Sequence, residues 1–133
     1  MKRFILLLVL SIIYATSIFA QQKFFCEIKG ADKELSSELK IVFDFGKNSV
    51  YGSLSSLKSK QKIVDDKGEV IPFNSMVDAG NYLSGKGWTF VQAYTSVYGG
   101  QAINHWIFFK ESDSIEKACE GIVTKEMYEK THK

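Results

Sequence analysis

The chain has 133 residues, 45% of them apolar and 24% charged, with a formal net charge of +2, a size and balance that fit one globular domain. Arg3 is its sole arginine. With neither a basic surplus nor a guanidinium fork to grip phosphate, nucleic-acid and polyphosphate binding are excluded.

Met1 to Ala20 reads as a secretory signal: Lys2 and Arg3 lead, an apolar run from Phe4 to Ile13 follows, and Ala20 is the small residue before a cut at Gln21. An uncleaved membrane anchor is the competing reading, weakened because Ser11, Tyr14, Thr16 and Ser17 interrupt a segment already at the short limit for spanning. A lipoprotein is disfavoured, since Cys26 follows Lys23-Phe24-Phe25 rather than small residues. Cleavage leaves residues 21–133 as a single α+β domain, periplasmic or secreted from a Gram-negative type of cell, with no membrane attachment. It also removes Lys2 and Arg3, so fifteen basic residues face fifteen acidic ones.

Phe24, Cys26 and Ile28 alternate with Phe25, Glu27 and Lys29, the period of a strand. Leu39, Ile41, Phe43 and Phe45 repeat the pattern against Lys40, Val42 and Asp44, and Gly46-Lys47-Asn48 supplies turn chemistry. Val50 to Leu54 suggests a third strand, and the Ser/Lys-rich stretch to Lys62 a solvated edge or loop. Asp65-Asp66-Lys67-Gly68 predicts a turn joining Lys62-Ile63-Val64 to Glu69-Val70-Ile71, with Pro72 ending that strand or placing it at an edge. The two aspartates lack the spaced oxygen donors of a calcium loop, so a turn is preferred to a metal site.

Ser75 and Asp78 form a capping-box-like pair, Phe73 is placed as a staple, and Met76, Ala79, Gly80 and Leu83 fall on one helical stripe, with Tyr82 on the other side. A glycine on the buried stripe implies close approach to a sheet. Gly85-Lys86-Gly87 ends the helix and Trp88 opens a strand in which Trp88, Phe90, Gln92 and Tyr94 share one face. Tyr98-Gly99-Gly100-Gln101 is the turn of a hairpin. On the return strand Ile103, His105, Ile107 and Phe109 oppose Asn104, Trp106 and Phe108. Apolar residues on both faces predict that both strands are central or covered. Ser112 to Lys130 reads as one closing helix with Ile115, Ala118, Cys119, Ile122 and Val123 buried. The fold class expected is therefore α+β: a mostly antiparallel, twisted sheet packed by two helices.

An oxidising compartment and inward-facing positions predict a Cys26–Cys119 disulfide, the alternative being two buried thiols that act as small hydrophobes.

Asn81, Gly87-Trp88 opening an apolar strand, and a last strand ending in Phe109-Lys110 resemble a small secreted bacterial domain-of-unknown-function family, patterned as helix, Gly-Trp junction and hydrophobic hairpin ending in Lys. Phe43-Asp44-Phe45-Gly46 and Lys67-Gly68-Glu69 look like its counterparts, whereas Gly80 stands where that pattern has leucine and the closing helix lies outside it. The resemblance implies a compact α+β sandwich and no activity.

Only His105 and His132 are histidines, and no nucleophile elbow, zinc spacing or phosphate loop occurs. His105, alternating with Ile103 and Ile107, reads as a hydrogen-bonded core or interface residue; a triad or carboxylate pair assembled in space is the route left to a small hydrolase. No catalytic, cofactor or metal residues are assigned. The aromatic surplus points to a non-catalytic binding module for a protein or glycan, with Trp106, Tyr98, Tyr94 and Tyr82 as its candidate surface and Trp88 in the core. A structural protein that self-associates through a sheet edge is the alternative.

Overall fold

The structure is a computed structural model that describes residues 21–32, 39–46 and 59–132. The expected signal segment, the strand expected at Val50–Leu54 and most of the Ser/Lys-rich stretch lie outside the described residues. Among the described residues no helix is long and apolar enough to cross a membrane.

Strands β1 (Gln22–Asp32), β2 (Leu39–Asp44), β3 (Thr89–Tyr98) and β4 (Gln101–Ser112) form one antiparallel sheet in the order β2-β1-β4-β3. Between β2 and β3 in the chain come a 3-10 turn (Ser59–Gln61) and helix α1 (Met76–Gly85), which packs on one face of the sheet. The α+β class holds, built on sheet rather than on helices.

The period-two alternation of β1, β2 and β4 sorts their side chains as expected. Cys26 and Ile28 from β1, Ile41 and Phe43 from β2 and Phe108 from β4 join Met76, Ala79 and Leu83 of α1 in the inner core. The helix starts where its cap allows: Ser75 Oγ accepts from the Asp78 amide at 3.1 Å, while Asp78 reaches back to the Asn74 amide at 3.0 Å. Phe73 packs on Phe43 and Tyr82 with centroids 5.3 and 5.4 Å away. The close approach read from Gly80 is real, because a Cβ there would lie 3.1 Å from Trp106 Cζ3 and 3.4 Å from Phe108 Cζ.

Two expectations are corrected. The closing helix is not continuous: α2 (Ile115–Ala118) stops at Cys119, Gly121 takes φ +74°, and Thr124 caps a separate α3 (Lys125–Thr131). A left-handed residue breaks the 3.6-residue period, and the extended link at Thr124 bridges to Ile63 instead. Two full-length helices over the sheet are therefore reduced to α1 and two short helices. The disulfide is also absent. Cys26 is buried in the inner core and Cys119 packs at the margin of the same cluster, but the two sulfurs are not bonded. Facing the same core does not set the Cα separation and Cβ directions that a bridge requires.

The Asp65–Gly68 turn is present as read: Asp65 Oδ1 accepts from the Lys67 and Glu69 amides at 2.9 Å each, and Val64 bridges Val70. Lys110, near the end of β4, donates to the Lys86 carbonyl at 2.8 Å and the Ala118 carbonyl at 3.1 Å. One ammonium thus closes the carboxy-terminal ends of both α1 and α2, where the helix dipole is negative.

Candidate functional site

The outer face of the sheet, away from α1, carries a row of polar side chains that touches all four strands. Register explains why they meet: Lys29 of β1 pairs with His105 of β4, His105 pairs with Tyr94 of β3, and Glu27 of β1 pairs with Asp44 of β2. Glu27 is the hub. Its Oε1 accepts from Tyr94 Oη at 2.9 Å and from His105 Nδ1 at 2.8 Å, and its Oε2 meets Lys29 Nζ at 3.0 Å. Lys29 also reaches Asp44 Oδ2 at 3.4 Å. On the far side, His105 Nε2 lies 2.8 Å from Ser96 Oγ.

Proton positions follow from the donor inventory. An ionised carboxylate only accepts, so His105 Nδ1 carries a proton toward Glu27; in the neutral ring Nε2 then accepts from the Ser96 hydroxyl. Burial pushes the Glu27 carboxyl up, but its bonds from Lys29, His105 and Tyr94 outweigh that and hold it below the usual carboxylate range. Burial, together with Glu27 as acceptor, raises the Tyr94 hydroxyl. Lys29 is lowered by burial and raised more strongly by Glu27 and Asp44, ending above its ordinary value. From β3 to β2 the row runs from the Tyr94 hydroxyl through the His105 ring and the Glu27 carboxylate to the Lys29 ammonium and Asp44.

Tyr94 lies flat on His105, with ring centroids 4.4 Å apart and planes within 3°. Tyr94 is 47% exposed, and Tyr98, four residues along on the same face, is 56% exposed. The four aromatic residues singled out from the sequence therefore divide. Tyr94 and Tyr98 stand on the open outer face; Trp106 is half-buried on the inner face beside Gly80 and Phe90, and Tyr82 packs on Phe43 and Phe73. They do not form one patch. Trp88 is in the core as expected, 2% exposed.

The division has a cause within β3. Phe90 pairs with Phe108 but Gln92 with Ile107, so Val91 is an extra residue and the strand bulges there. Beyond the bulge, Ala93, Thr95 and Val97 share the inner side with Phe90, while Gln92, Tyr94, Ser96 and Tyr98 face outward. Strict alternation, which put Phe90 and Tyr94 on one face, fails at that residue. Coverage of β3 is corrected too: among the described residues β4 is central but β3 is the end strand, and of its ten residues only Ser96 is not exposed.

Sequence reasoning placed His105 as hydrogen-bonded and did not find Glu27, Lys29 or Ser96. The available signal was Glu27-Ile28-Lys29, two opposite charges on one face of a strand. Two cavities, of about 480 and 350 Å³, flank β2; the smaller is lined in part by Asp44, and neither is lined by Glu27, Lys29, Tyr94, Ser96 or His105. Among the described residues no group of three metal-ligating side chains converges. No family model, curated protein or solved structure matches the chain.

Proposed function

We propose that this is an exported, non-catalytic binding module that recognises an envelope protein or glycan through the outer face of β3 and β4. The observation that supports it is Tyr94: a half-exposed ring, stacked on an imidazole and held at its hydroxyl by a carboxylate, presents a flat apolar surface whose rotamer freedom is already spent. Binding to such a ring costs little further ordering, and Gln92 and Ser96 flank it on the same face with hydrogen-bonding groups. Screens against glycans and envelope proteins, repeated with Tyr94→Ala and Tyr98→Ala, test the reading. The substitutions are expected to weaken binding roughly tenfold or more; a bound ligand indifferent to both would refute the platform.

One observation favours a second reading. Ser96, His105 and Glu27 stand in the order hydroxyl, base, carboxylate at 2.8 Å steps, the wiring of a serine hydrolase. It ranks second because Ser96 lies within a regular strand facing β4, and neither cavity opens onto it. Labelling by a fluorophosphonate, lost in Ser96→Ala, would establish it.

A further inference from the structure

We infer that two copies of this chain pair through β3, edge to edge and antiparallel, into a continuous eight-stranded sheet. The observation is independent of the Tyr94 platform and stands whether or not that surface binds anything.

Gly99 and Gly100, at φ +59° and +80°, make the two-residue turn in which the flanking pair, Tyr98 and Gln101, exchanges its amide bonds. Alternate pairs then follow, so Gln92, Tyr94 and Ser96 bond to β4 while Ala93, Thr95 and Val97 turn their amides and carbonyls outward. Among the described residues no strand lies beyond β3. Edges of this kind are normally blunted by lysine, proline or a covering element. Thr89–Tyr98 contains no charged residue and no proline in a chain that is 24% charged, and Val97 is 73% exposed. The opposite edge differs: β2 carries Lys40 and Asp44.

The occupant that fits is the strand itself. A two-fold axis through Thr95, perpendicular to the sheet, sets Thr95 opposite its symmetry mate and Val97 opposite Ala93 of the other copy. On the outer face Tyr94 then meets Ser96 and Tyr98 meets Gln92. Every cross-strand pair is neutral, so no like charges oppose each other. The Val91 bulge and the Gly99-Gly100 turn bound the paired stretch at its two ends. Both helical layers fall on the same side, and the two tyrosine rows become neighbours on the other.

Light scattering behind size exclusion, on the purified protein across a concentration series, is expected to show a dimer. Thr95→Pro removes an amide that β4 does not use, and Val97→Lys places a charge within the seam; each is expected to raise the dimer dissociation constant roughly tenfold or more with the far-ultraviolet spectrum unchanged. In a Thr95→Cys variant, a short bifunctional maleimide should join two chains through position 95, as read by peptide mapping. A protein monomeric at high micromolar concentration, or a dimer that survives both edge substitutions in folded protein, overturns the proposal. A dimer that cannot be joined at position 95 overturns the two-fold placed there.

Discussion

At the scale of single residues, Glu27 and Lys110 each serve several partners from one side chain. Because the Glu27 carboxyl is held below its usual value of 4.5, it stabilises the fold above the unfolded-state value, and that contribution is lost as pH falls through the lower, folded value. Glu27→Gln is expected to cost about 1–2 kcal/mol at neutral pH and to flatten the acid limb, as measured by urea midpoints at pH 7 and in the acid range. Lys110→Met should cost about 1–3 kcal/mol, since it strands carbonyls at two helix ends at once, with thermal unfolding as the check. Lys110 also gives a physical reason for a hydrophobic strand that ends in lysine: the ammonium closes helices that the strand itself supports. The position was legible in the sequence, but its role was not, because carbonyl partners leave no mark on residue identity. The same holds for Ser96 and His105, which are distant neighbours until register brings them together.

At the scale of elements, what could be read depended on whether the local period ran unbroken. The faces of β1, β2 and β4 and the stripe of α1 follow from regular alternation, and Gly80 marked the helix-sheet contact in advance. Since a Cβ at that position would already crowd Trp106 and Phe108, Gly80→Leu is expected to destabilise by about 1–3 kcal/mol through overpacking, measured by chemical denaturation, although the resembling pattern has leucine there. The faces of β3 and the continuity of the last helix were misread for one shared reason. Each contains a residue that resets the count, Val91 by bulging and Gly121 by turning left-handed, and a window that averages over either one sees a single element. Gly121→Ala should cost about 1 kcal/mol or more, a change that the same denaturation series will show.

At the scale of the whole molecule, helices occupy one side of the sheet and an ordered polar row the other. The inner core draws on β1, β2 and β4, and none of its buried residues comes from β3, which leaves that strand open. Burial pushes the Cys26 thiol well above its ordinary value, and its neighbour Cys119 adds to the effect. Alkylation of the folded protein at mildly alkaline pH is therefore expected to reach Cys119 well before Cys26, with unfolding required to modify both; mass spectrometry of the labelled peptides decides it. That both cysteines enter one core was legible from periodicity, whereas bonding depends on separations that periodicity does not carry.

The extra residue at Val91 has a consequence for how this domain can change over time. Excise it, and Phe90 and Gln92 become successive residues still opposite Phe108 and Ile107, so the pleat closes up with both tyrosines outward and only the local kink is lost. A lineage that lost this one codon would keep both the architecture and the outward display, so the added residue sets the bend and twist of β3 and leaves the choice of face to the rings and their register.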